Sequence, residues 1–197
     1  DRESLKLLIE NINNEVKDLN HEISIIIVND ASSQQILDTY PNIENVQSIE
    51  LINMKENRGH ARCIASGLKY IFEKKEYDFV IPMDGDGEDR PVEIKNFIEL
   101  SKQSGEKSLI GERVKRSEGI IFKTCYQFHK FLTLAFTGQS IKFGNFTCLS
   151  KSTVKKLLDE KATWNSFSGS LKKVEKDLVS MPSVRGKRYF GPSQMSF

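Results

Sequence analysis

A run of apolar residues that breaks off into acid and glycine constrains this chain more than any other feature. Residues 77–83 include Tyr77, Phe79, Val80, Ile81 and Met83, with Asp78 near the start. The run is too short for a helix, and its aromatic and β-branched content predicts a buried strand. It gives way to Asp84-Gly85-Asp86-Gly87-Glu88-Asp89. Asp84, Asp86 and Glu88 occupy every second position, and alternate side chains of an extended chain point the same way. Glycine between them lets the backbone bend tightly and lets a ligand come close. Crowded carboxylates repel one another and call for a cation, and hard oxygen donors suit Mg²⁺ or Mn²⁺. Mg²⁺ held by one or two carboxylates takes its other ligands from water and substrate phosphates. The stretch therefore predicts a metal site, at the carboxyl end of a strand, that meets a phosphorylated ligand. The plainer reading is an acidic turn into a helix, since Asp and Gly are turn residues and Pro91 suits a first helical position. An Asp-x-Asp triplet alone does not separate the two; its surroundings do.

Those surroundings alternate. Residues 3–19 place Leu5, Leu8, Ile9, Ile12, Val16 and Leu19 at three- and four-residue spacing, which predicts a helix. Residues 23–28 form a continuous apolar run, the pattern of a strand buried on both faces, and end in Asn29-Asp30-Ala31-Ser32-Ser33. Residues 46–52 predict another strand. Asn57-Arg58-Gly59-His60 opens a helix to about Phe72, and Pro91 opens one to about Lys102 that buries Ile94, Phe97 and Ile98. Residues 108–111 read as a short strand, 119–137 as an aromatic-rich helix, and 143–149 as a strand followed by a helix that Ser150 or Ser152 caps. Strands alternating with helices predict an α/β fold, a mostly parallel, doubly wound sheet with helices on both faces. In such a sheet ligands sit beyond the carboxyl ends of the strands. Asp30 and Asp84 each end a strand, so both are expected at one crevice. Asp30 taken alone reads more simply as a turn aspartate.

Composition narrows the function class. A chain of 197 residues with 38% hydrophobic and 28% charged residues fits one soluble globular domain. A net charge of +2, from 29 basic and 27 acidic residues, gives no reason to expect nucleic acid as a partner. The basic residues are unevenly spread: ten lie between Lys107 and Lys156 against the two acids Glu112 and Glu118. Three scattered cysteines fit a reducing compartment better than a disulfide framework or a zinc site. No stretch approaches the ~20 apolar residues of a membrane span. The first residues already read as helix without a preceding Met, and the chain is expected to be part of something longer.

Taken in order, these pieces resemble the glycosyltransferase family 2 proteins of GT-A fold, above all the polyprenyl-phosphate sugar transferases. The resemblance rests on Ile26-Ile27-Val28-Asn29-Asp30-Ala31-Ser32; on Asn57-Arg58-Gly59 with Ala61 and Gly67; and on Met83-Asp84-Gly85-Asp86 through Pro91-Val92-Glu93. It extends to Gly111-Glu112-Arg113 with Arg116, and to Arg188-Tyr189-Phe190-Gly191-Pro192-Ser193-Gln194-Met195.

The resemblance implies a single glycosyltransferase catalytic domain over 1–197 and a set of roles. Asp30, with Arg58, Gly59 and Asp84, would serve the nucleotide. Asp84, Asp86 and Glu88 would hold Mg²⁺ or Mn²⁺ on the diphosphate of a nucleotide-sugar donor. Arg113 and Arg116 would reach phosphates, with Asn145 beside the acceptor, a polyprenyl phosphate or a glycan. Asp86, Asp89 and Arg113 are the candidates for catalysis. The implied place is the cytoplasmic face of a membrane. The chain departs from the pattern in three ways. A first strand that would precede residues 3–19 is expected upstream, membrane helices are expected beyond Phe197, and Asn145 stands where several relatives carry an Asp assigned as base. Two other readings remain: a nucleotidyltransferase acting on a sugar phosphate, and a non-catalytic domain that binds nucleotide sugars.

Overall fold

The computed structural model describes residues 2–33, 40, 43–105, 107–113 and 143–191. The expected aromatic-rich helix over 119–137, Lys115 and Arg116 lie outside them. In chain order the elements are α1 (Arg2–Val16), β1 (Ser24–Asn29), β2 (Ser48–Asn53), α2 (His60–Lys74), β3 (Phe79–Val80), α3 (Val92–Ser104), β4 (Leu109–Arg113), β5 (Phe143–Ser150), α4 (Lys151–Asp159), a 3₁₀ turn (Lys161–Trp164), α5 (Phe167–Val174) and β6 (Val179–Ser183).

Alternation along the strands places helices on both faces of the sheet. In β5, Phe146 and Cys148 pack with Phe97 of α3, whereas Phe143 and Leu149 pack with Leu68 of α2, Val154 and Leu157 of α4, and Leu171 of α5. Strand β4 divides the same way, Leu109 to the α3 side and Ile110 to the other. The period of two in the side chains thus builds two cores from one sheet. Helix α1 packs on α3, and its Leu8, Ile12 and Val16 join Ile94, Ile81 and Met83 in a third cluster. On the opposite face, Gly67 of α2 lies against β1: a Cβ there would sit 3.0 Å from Val28 Cγ2. That residue's lack of a side chain sets how near the helix comes to the strand.

The strands differ from expectation in three respects. Strand β1 pairs in parallel with β2, Ser24 opposite Ser48 through Asn29 opposite Asn53. Among the described residues that is its one paired neighbour, and only Ile27 is buried, so β1 is half-covered and not buried on both faces. The other strands follow the order β3-β5-β4-β6. The pairing of β4 with β6 is parallel, but β5 runs antiparallel to both β3 and β4. Among the described residues there are thus two sheets, a parallel β1-β2 pair and a mixed four-stranded one, where a single mostly parallel sheet was expected. A strand such as β5, apolar along most of its length, reads alike in either direction. Finally, the expected strand over 77–83 is reduced to Phe79–Val80, and residues 81–83 approach the acidic turn outside any ladder.

The edge strand β6 was not evident in the sequence, because Pro182 sits in it. Proline is tolerated on an edge, where one side of the backbone has no partner. Ser150 does cap the helix that follows it, accepting from Thr153 N.

Phe97 is fully buried and meets Phe146 edge-to-face, with ring centroids 4.9 Å apart. Phe97→Ala is expected to remove about 3–5 kcal/mol of stability, the scale of a deleted core aromatic, and a urea titration followed by circular dichroism reads the loss directly.

Candidate functional site

The acids after β3 do not continue as an extended strand. They form a turn, and burial decides its shape. Asp89 is 8% exposed, and its Oδ2 accepts from Asp84 N at 2.9 Å, closing the turn on itself. Asp86 Oδ1 accepts from Glu88 N at 2.9 Å. Burial pushes the Asp89 carboxyl up to about 7. The bond from Asp84 N lowers it, the Asp84 charge raises it, the Arg113 guanidinium lowers it and the Asp86 charge raises it. Asp89 is thus first a brace for the turn. Arg113, at the end of β4, belongs to the same neighbourhood, and its Nη2 would lie 2.8 Å from a Cβ on Gly144. The absence of a side chain at Gly144 makes room for that guanidinium.

Neutralising charge arrives from nearly a hundred residues away. After β6 the chain passes over the turn as a strap, residues 184–190. Glu93, 5% exposed at the start of α3, pins its beginning by accepting from Ser183 Oγ at 2.6 Å and Val184 N at 2.9 Å. Arg185 forms an ion pair with Glu88. Gly186 N donates to Glu88 O at 2.8 Å, and Tyr189 N to Asp86 O at 3.0 Å. Arg188 Nη2 donates to Asp86 Oδ2 at 2.7 Å. The Tyr189 ring lies on Gly87, where a Cβ would fall 2.5 Å from Cε2, and its hydroxyl accepts from Asn11 Nδ2 at 2.9 Å. Gly87 has φ +87°, a backbone that only glycine adopts without strain, so the turn needs glycine there for two separate reasons.

The third side of the site comes from the start of α2. Asp30 follows directly on β1 and accepts from Arg58 N at 2.7 Å and from Gly59 N at 2.8 Å, one bond to each carboxylate oxygen. It therefore fixes the turn that opens α2, a role closer to the simple turn reading than to a ligand contact. The Arg58 side chain pairs with Glu56. Next to that turn, His60 Nε2 lies 2.9 Å from Asn145 Nδ2, and Asn145 Nδ2 donates to Asp84 Oδ1 at 3.4 Å. A series of polar contacts thus runs from the turn that Asp30 fixes to Asp84 in the acidic turn after β3.

The three alternating acids go to different partners: Asp84 to Asn145, Asp86 to Arg188 and Glu88 to Arg185. The alternation rule fails because it presumes extended backbone, and this stretch is bent. Among the described residues no three His, Cys, Asp or Glu side chains converge as a metal cluster. The donors are nonetheless all hard oxygens, and Mg²⁺ or Mn²⁺ needs only one or two carboxylates when a phosphorylated ligand completes the shell. Asp84 and Asp86 fit that demand. Arg116 lies outside the described residues. The sequence assigns no role to His60, Arg185 or Tyr189, and it suits the basic tail around Arg188 to an anionic acceptor or headgroup, whereas the structure pairs Arg188 with Asp86. The signal for the arginines was present in a tail with three basic residues and no acid, positioned to answer an acidic turn.

A protein-family model described as Glycosyl transferase family 2 matches residues 2–160. Undecaprenyl-phosphate 4-deoxy-4-formamido-L-arabinose transferases from Proteus mirabilis and Photorhabdus laumondii are each 25% identical to the chain, covering 100% of it and 60% of the relative. The enzyme of the same name from Yersinia enterocolitica is 24% identical over 77% of the chain and 45% of the relative. The chain thus spans 60% of the length of the first two relatives.

Substitutions at two positions test the geometry. Gly87→Ala is expected to destabilise by roughly 1–2 kcal/mol from the left-handed backbone alone, with more lost as the Tyr189 ring is displaced. Trypsin should then cut faster at Arg185 and Arg188 than in the parent. At Asp89 the two obvious variants should diverge: Asp89→Asn keeps an acceptor for Asp84 N and should stay near parental stability. Asp89→Ala orphans that buried N–H and should cost about 1–3 kcal/mol in chemical denaturation.

Proposed function

The chain belongs to glycosyl transferase family 2, with the α/β fold of GT-A type that this family implies, and from that premise we propose that it transfers a sugar from a nucleotide-diphosphate donor to a polyprenyl phosphate. The observation that carries the choice of acceptor is Asn145. Its amide nitrogen is turned toward Asp84 and His60, and the resemblance puts at this position an Asp that is assigned as base in several relatives. A sugar hydroxyl attacks well only when a general base removes its proton. A lipid phosphate is already an anion. The other nearby acids do not readily take over the task, since Asp89 braces the turn and Glu93 is buried against Ser183 and Val184. The names of the similar undecaprenyl-phosphate transferases support the same acceptor class.

In this reading the donor diphosphate lies over the acidic turn. Asp84 and Asp86, with Glu88 beside them, would hold Mg²⁺ or Mn²⁺, which when bound supplies charge stabilisation for the departing nucleoside diphosphate. Asp30 holds the turn that offers Arg58 and Gly59 to the nucleotide. Arg113 orients phosphate from the β4 side, joined by Arg116 from the basic stretch that follows. The acceptor attacks from the face opposite the leaving group, with inversion at the anomeric carbon. No helix among the described residues is long and apolar enough to cross a membrane. The proposed location at the cytoplasmic membrane face rests on the acceptor and on the basic residues around Arg113 and Arg188.

Incubating the full-length protein with labelled sugar nucleotides, Mn²⁺ and a panel of acceptors tests this. The expected outcome is nucleoside diphosphate release and a glycosylated polyprenyl phosphate, falling by roughly 10²-fold or more in Asp86→Asn, the scale of removing one transition-state-stabilising group. Release of inorganic diphosphate would point instead to nucleotidyl transfer, and binding without turnover to a non-catalytic domain. Transfer to sugar hydroxyls and none to the lipid phosphate would overturn the acceptor assignment.

A further inference from the structure

His60 is the first residue of α2 and is exposed. Its Nε2 meets Asn145 Nδ2 at 2.9 Å, and the same Nδ2 reaches Asp84 Oδ1 at 3.4 Å. Three segments distant in sequence are joined by this chain of groups: the start of α2, the early part of β5 and the acidic turn. The donor inventory fixes its polarity. An ionised carboxylate only accepts, so Asn145 must present its NH₂ group, and not its oxygen, to Asp84. The second hydrogen of that group then faces His60, and Nε2 must accept it. Nε2 can accept only in a neutral ring whose proton is on Nδ1. The network thereby assigns both the amide orientation and the tautomer.

We propose that His60 is a positioning residue for the acidic turn: by accepting from Asn145 it holds the amide, and the amide holds the Asp84 carboxylate in one orientation toward a divalent cation. The proposal rests on the reading of Asp84 as a cation ligand. A purely structural role accounts poorly for His60. The start of α2 is already fixed by Asp30, through Arg58 N and Gly59 N, and an exposed side chain at that place adds little to the fold. What His60 alone supplies is the acceptor that occupies the amide's second hydrogen. Without it one of the amide's two hydrogens loses its acceptor, and Asp84 Oδ1 has a less firmly oriented partner. Groups that orient a metal ligand in this manner are commonly worth about 10–100-fold in metal affinity.

Two measurements on the full chain test this. Long-range proton–nitrogen NMR of the metal-free protein at alkaline pH should show His60 protonated on Nδ1 and bare on Nε2, with the preference lost in Asn145→Leu. Titration with Mn²⁺ alone, read by water-proton relaxation, should show affinity reduced about tenfold in His60→Leu and in His60→Lys, which can only donate. His60→Gln, whose Oε1 can accept from the amide, should restore the parental value, and all three variants should melt with the parent. A ring protonated on Nε2 overturns the proposal. So does equal Mn²⁺ affinity in parent and His60→Leu, absence of Mn²⁺ binding by the parent, or failure of His60→Gln to rescue. If the Mn²⁺ pattern holds while no sugar nucleotide binds, the glycosyl-transfer reading falls and the role of His60 stands.

Discussion

Like charges packed into a single turn are the constraint from which the rest of this site follows. Asp84, Asp86, Glu88 and Asp89 lie within six residues, and such a cluster persists only if each member finds compensation. Each does so differently. Asp89 goes inside, is pushed toward the protonated form and binds a backbone N–H. Asp86 and Glu88 are met by guanidinium groups from the strap, and Asp84 by an amide from β5. With Arg113 from β4 the compensating groups arrive from three parts of the chain, so the turn dictates where β4, β5 and the segment after β6 must end. An isolated surface ion pair contributes little. Here the pairs act with two backbone bonds and the Tyr189 ring, and Glu93 anchors the entry to the strap.

Much of this architecture was legible in the sequence because hydrophobic period reports burial. The helices at the start, after Gly59 and after Pro91 emerged from three- and four-residue spacing, with ends shifted by a few residues. Strand direction was not legible. In β5, Phe146 and Leu149 face opposite cores, so neither a parallel nor an antiparallel neighbour leaves a mark on the pattern. Strand β6 was hidden by Pro182, whose local preference argues against a strand that only its place at a sheet edge permits. For the site, the run of acids marked the location, but alternation misjudged its geometry. Spacing cannot show a turn closing on the buried Asp89, because the closure depends on what covers it.

Asp30 shows how far a strand-end aspartate can be read from its position alone. Ending a strand beside an expected ligand crevice is equally consistent with touching the ligand and with holding the loop that does. The two backbone bonds from Arg58 and Gly59 favour the second. They also explain why an exposed glycine with φ +85° begins α2: the chain must turn sharply there to bring two successive N–H groups onto one carboxylate. Cys63 lies close behind, its thiol pushed up to about 12, first by burial and then by Asp30, which makes it an inert neighbour and not a nucleophile.

The amide at position 145 acquires its meaning from the same electrostatics. A carboxylate there would face Asp84 at hydrogen-bond distance, adding one more negative charge beside a turn that already needs two arginines and a buried acid to exist. One of the two carboxylates would then have to hold a proton, or a cation would have to remain between them. Asparagine removes that conflict and replaces repulsion with donation. The exchange has a chemical consequence, since a group that donates to Asp84 is no longer able to take a proton from an acceptor. In the proposed reading the acceptor brings its own negative charge, and Arg113, which borders the turn from β4, is the group to meet it.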